Sequence, residues 1–132
     1  MAEVTIALDG RPPKKSEAYS LLNEKHPKAS QVLALLEAVF AVVGPDFAPY
    51  SGPVGLEVTL WAPDDRDLGD ATNYLGGIGD VLQTKNPKRN PMTHLGALTT
   101  VAVFADDRQV REVNYRHIID PKPPYQIRVY EL

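Results

Sequence analysis

A chain of 132 residues with 43% apolar side chains can build one hydrophobic core and is too short for two. The absence of cysteine excludes disulfides and thiolate-based zinc sites, and a net charge of −3 argues against a protein that simply coats DNA. The start MAEVTIALDG lacks the basic and apolar regions of a signal peptide, and VLALLEAVFAVVG, broken by Glu37, is too short to span a bilayer. The expectation is therefore a cytoplasmic protein with no membrane partner.

In chain order, Val4, Ile6 and Leu8 alternate with small or polar residues and predict a first strand, closed by the turn signal DGRPP. Residues 16–25 predict a short helix stopped near Pro27. Between Ser30 and Val43 the apolar positions Val32, Leu33, Leu35, Leu36, Val39, Phe40 and Val43 keep helical spacing. Ser30 is the expected N-cap and Gly44-Pro45 the stop. After the connector GPDFAPYSGP comes a strand with Val54, Leu56, Val58 and Leu60 on one face and Glu57, Thr59 and Trp61 on the other.

A second helix is expected from Asp70 to Leu82, followed by a long loop, about 83–96, rich in Asn, Pro and Lys. Three strands finish the chain, near 99–105, 110–118 and 125–131, the first two joined as a hairpin through DDRQ. The expected fold is α+β, a single domain spanning 1–132 in the order β-α-β-α-β-β-β. Two helices pack on one face of a mixed or antiparallel sheet. The other face of that sheet, or its edge, is left for a partner.

The stretch DLGDATNYLGGIGDVL, residues 67–82, combines carboxylates with glycines. Gly76, Gly77 and Gly79 together cost a helix roughly 2–3 kcal/mol relative to alanine, so close packing against the bare face must compensate. What approaches is another part of the chain, a phosphate backbone or a second subunit. The pattern fits neither a dinucleotide fingerprint nor a P-loop. Asp70 stands at an N-cap position, and Asp106 and Asp107 begin a tight turn after VAVFA. Aspartates gathered above one sheet edge would repel unless a cation neutralised them, and Mg²⁺ is the natural choice. His26, His94 and His117 lack metal-ligand spacing, and no G-x-S-x-G elbow or catalytic cysteine is present. Tyr115, Tyr125 and Tyr130 lie on the last strands, either packed on the sheet or available to stack on bases.

The order of these signals resembles that of the RusA-type Holliday junction resolvases. The resemblance rests on VTIALDGRPPKKS at the start, DATNYLGGIGDVL at 70–82 against a family pattern D-x-D-N-x-x-K-x-x-x-D-x-L, and VFADDRQV at 103–110. It implies a homodimeric, Mg²⁺- (or Mn²⁺-) dependent endonuclease acting on branched DNA in recombination and repair. By this resemblance Asp70, Asn73 and Asp80 match motif positions, and Asp106 and Asp107 match the paired acids. Thr72 replaces the family's second catalytic aspartate, and Gly76 replaces its lysine.

Asp67 is then the candidate for the missing carboxylate, and Lys85, Lys88 or Arg89 for the missing cation. The implied ligands are Asp70, Asp107 and Asp106, with Asp70, Asp107 and Asp67 in catalysis. A carboxylate-bound cation would activate water and stabilise the phosphate. Lys14, Lys15, Lys85, Lys88, Arg89 and Arg108 would contact DNA, while Asn73, Asp80, Gly76 and Gly77 serve the motif's structure. Two alternatives follow from Thr72 and Gly76: a RusA-like dimeric binding module that has lost turnover, or a structural protein whose aspartates only cap and turn.

Overall fold

The computed structural model describes residues 2–14, 22, 28–64, 68, 70–85, 93–121 and 124–132. The helix expected at 16–25 lies outside them, apart from Leu22, which is buried. Four strands and two α-helices are described: β1 (Glu3–Asp9), α1 (Ala29–Val43), β2 (Val54–Ala62), α2 (Ala71–Leu82), β3 (Val110–Ile119) and β4 (Pro124–Glu131). The fold is α+β. Its sheet runs β1-β4-β2-β3, with β4 antiparallel to both neighbours and β2 parallel to β3, so it is mixed.

Strand alternation decides the two faces. Val4 and Ile6 of β1 are buried while Glu3, Thr5 and Ala7 are exposed, and β4 buries Tyr125, Ile127 and Val129. These rows join Leu56, Val58 and Leu60 of β2 beneath the helices. α1 contributes Val32, Leu35, Leu36 and Val39, spaced to form one stripe, and rests on β1. The helix begins one residue before the expected cap. Lys28 occupies the N-cap position, and the Ser30 hydroxyl instead donates to Gln31 Oε1 at 3.0 Å. It ends as expected at Gly44, whose φ of 76° permits the turn and whose N–H donates to the Phe40 carbonyl at 2.9 Å.

The opposite sheet face is polar. Arg128 bonds Glu3 at 2.7 Å and also Glu57, and its guanidinium lies 4.3 Å from the centre of the Tyr130 ring. Tyr130 in turn donates to Glu112 at 3.0 Å and lies over Gly55, where any β-carbon would overlap the ring. Gly55 is thus a packing requirement of this network.

One expected strand is absent. Residues 99–105 do not pair with 110–118 as a hairpin. Instead Thr93–Thr100 forms 3-10 turns broken at Gly96 (φ 54°), and Val101, Ala102, Val103 and Phe104 run through the interior. All four are buried in succession, which a half-exposed strand would not allow. Their backbone is held at isolated points. Val103 N–H donates to Leu82 O at 2.8 Å, Thr84 N–H to Phe104 O at 3.1 Å, and Tyr50 N–H to Val103 O at 2.8 Å. The segment released from the hairpin leaves β3 to pair with β2 in parallel.

Candidate functional site

α2 carries the first motif. Asp70 is its N-cap residue, as expected, but only the backbone does the capping: the Asp70 carbonyl accepts from Asn73 and Tyr74, and no side-chain cap bond forms. Its carboxylate is exposed. The apolar side of the helix buries Tyr74, Ile78, Val81 and Leu82, while Asn73 is exposed and Gly76 and Asp80 are half-buried. One of the helix glycines, Gly77, has an internal explanation. A β-carbon on Gly77 would overlap the carbonyl of Pro13, so the segment after β1 lies directly on the helix there. Lys14 belongs to that same contact through its α-carbon, 2.9 Å from the added β-carbon.

The second motif is a turn built from its own side chains. Asp106 caps a short 3-10 turn, Asp107–Gln109, its carboxylate accepting from Arg108 N–H at 2.9 Å. Gln109 Oε1 accepts from the Asp106 N–H at 2.8 Å, completing a capping box. The Gln109 amide then donates to the carbonyls of Tyr50 and Gly52, both at 2.8 Å. Arg108 forms a forked pair with the Asp106 carboxylate, with both contacts at 3.1 Å. The arginine's hydrogen bonds and charge pull the Asp106 carboxyl below its ordinary range. Asp106 is therefore engaged as a cap and as an ion-pair partner. Gln109 is the glutamine of the quoted DDRQ, to which the resemblance gives no role; the D-x-x-Q spacing of a capping box is its sequence signal.

The aspartates do not converge. Asp107 is exposed and lies beside Gly79, its Cβ 3.6 Å from where a β-carbon on Gly79 would sit, and its N–H donates to Gln83 Oε1. Asp70 stands at the other end of α2, about 13 Å from Gly79 by the helical rise. One Mg²⁺ holds its oxygens at about 2.1 Å, so Asp70 and Asp107 do not share an ion in this arrangement. Among the described residues, no three His, Asp or Glu side chains gather into a set that could hold a metal. Asp67, the candidate replacement, lies outside the described residues, as do Lys15, Lys88 and Arg89.

Lys85 also departs from its expected role. Rather than projecting from a basic loop, it is 9% exposed, and its ammonium donates to the carbonyls of Val81 (2.8 Å), Gln83 (3.3 Å) and Val101. It satisfies the end of α2 and ties it to the buried 101–104 segment. Burial pushes its pKa down to about 8. The exposed cations near the second motif are Arg108 and Arg111. Of the tyrosines, Tyr125 is buried at 1% exposure and so cannot stack on a base; Tyr115 is half-buried, and Tyr130 is engaged with Arg128.

Among the described residues, no helix is long and apolar enough to cross a membrane. No protein-family model matches the chain, and no curated protein matches it.

Proposed function

We propose that this chain is a RusA-like domain that engages branched DNA as a binding module without metal-dependent turnover. The observation that carries this reading is the division of the acidic set. Asp70 and Asp107 stand at opposite ends of α2, and Asp106 is consumed by its turn and by Arg108. The donor set among the described residues does not fit Mg²⁺ or Mn²⁺, and no step is derived through a metal. Arg111, exposed at the start of β3, and Arg108, exposed on the turn beside its partner Asp106, would supply the cationic contacts that position a phosphate backbone.

A second reading, Mg²⁺-dependent cleavage of a junction, is favoured by one feature. Asp107 keeps an exposed carboxylate against the helix that bears the remainder of the motif.

The test is a labelled four-way junction beside linear duplex, incubated with the protein in Mg²⁺, Mn²⁺ or EDTA. The expected result is junction binding that weakens with salt and in the Arg108→Ala, Arg111→Ala double variant, with no cleavage in any buffer. Metal-dependent cutting would overturn the binding-module reading in favour of the nuclease and direct attention to Asp67. Absence of both binding and cutting would overturn both.

A further inference from the structure

α1 begins without the devices that usually close a helix start. Lys28 stands at its N-cap with no side-chain cap, and its first turn holds no acid. The Val32 N–H is the first to find a carbonyl, that of Lys28 at 3.1 Å, so the N–H groups of Ala29, Ser30 and Gln31 before it lack an intrahelical partner. The positive end of a 15-residue helix dipole is thus left open.

Beside it lies a cavity of about 180 Å³, lined by Asp9 and Arg11 from the end of β1 and the turn after it, Ser30 and Gln31 of α1, and Tyr125 of β4. Tyr125 is 1% exposed, and its hydroxyl has no hydrogen-bond partner among the described residues. The one side-chain polar atom among those residues that is both unpartnered and sealed from water is Nδ1 of His94. The Tyr125 hydroxyl, unpartnered but not sealed, therefore opens into the cavity. A buried hydroxyl left without a partner is costly, and a polar ligand offsets that cost.

The groups that meet here are mostly donors. The Ser30 hydroxyl donates to Gln31 Oε1 at 3.0 Å, which leaves the Gln31 amide N–H groups for another acceptor. Arg11 uses one N–H on the Trp61 carbonyl at 3.3 Å and keeps the rest of its guanidinium. Burial raises the pKa of the Tyr125 phenol, so it stays protonated and donates. Donors arriving from α1, β4 and the turn after β1 suit the oxygens of a tetrahedral anion better than a planar carboxylate. Asp9 is the acid among the lining residues and is exposed. Its carboxylate repels a bare anion but accepts from a hydroxyl carried beside one.

We propose that this cavity binds a small phosphomonoester whose organic part carries hydroxyl groups, the phosphate held by the start of α1, Arg11 and Tyr125 and a hydroxyl held by Asp9. The site is independent of the DNA reading and stands without it.

Titration of the full chain with inorganic phosphate, glycerol phosphate and acetate tests it, followed by the amide resonances of Ser30 and Gln31. Saturable shifts are expected with both phosphates, tighter with glycerol phosphate. Tyr125→Phe and Arg11→Gln should each weaken binding about tenfold while the far-ultraviolet spectrum stays unchanged. Asp9→Asn should erase the preference for glycerol phosphate. No saturable shift with either phosphate, or affinities indifferent to both Tyr125→Phe and Arg11→Gln, overturns the site. Acetate binding as tightly as the phosphates overturns the ligand class. If Tyr125→Phe perturbs the core, Arg11→Gln still decides. A four-way junction added to the glycerol phosphate complex separates the two sources of phosphate. Undisturbed Ser30 and Gln31 resonances support the small ligand, and its displacement from these residues overturns it in favour of a DNA phosphate. Failure of the junction to bind anywhere on the chain sinks the DNA reading alone.

Discussion

Lys85 shows how one residue's environment can reverse its meaning. A lysine in a loop rich in Asn and Pro suggests solvent and phosphate, but its stem is buried and its three donors meet three carbonyls. Those carbonyls favour the ammonium, and burial opposes it more strongly. Its folded pKa, about 8, lies below the ordinary 10.5. Between these values the unfolded chain therefore binds more protons, and stability contributed through this group rises with pH. The comparison that isolates it is wild type against Lys85→Met in urea denaturation from pH 8 to 10.5. The difference between the two should move in favour of wild type as pH rises, with a slope of at most about 1.4 kcal/mol per pH unit. A constant difference would mean that Lys85 keeps its ordinary affinity for protons.

At the scale of elements, the turn at 106–109 acts as a clasp. Its capping box orders the 3-10 turn, and the Gln109 amide extends that order to the Tyr50–Gly52 connector through two carbonyls. The connector leads straight into β2, so the clasp helps set where the central strand begins. Gln109→Ala removes both donors and leaves the Asp106 N–H without its side-chain acceptor. The expected cost is about 1–3 kcal/mol, seen as a lower thermal midpoint. Arg108→Ala, which removes only an exposed ion pair, should change the midpoint far less. If the two variants melt together, the clasp has no part in stability.

Over the whole molecule, the sheet order grades protection from solvent. β4 lies between β1 and β2, and β2 between β4 and β3, whereas β3 has a neighbour on one side only among the described residues. Amide hydrogen exchange should be slowest in Ile127–Val129 and Leu56–Leu60. Alternate amides of Glu112–Ile119, those on the side away from β2, should exchange faster than the amides of β4 and β2. Exchange along β3 as slow as in β4 would overturn the gradient.

The periodic elements were legible in the residues themselves. Alternation marked β1 and β2, and helical spacing marked α1, because local pattern records which side of an element faces the core. Tertiary structure decided what pattern cannot encode. It set the parallel pairing of β3 with β2 and turned VAVF from an expected strand into a buried crossing. It filled the bare face at Gly77 with the chain's own Pro13 carbonyl and drew Lys85 inward to three carbonyls. The motif aspartates follow the same division. Their identities and order along the chain belong to the sequence, but whether carboxylates meet depends on distances across the fold. A helix that carries Asp70 at one end and meets Asp107 near the other holds them apart.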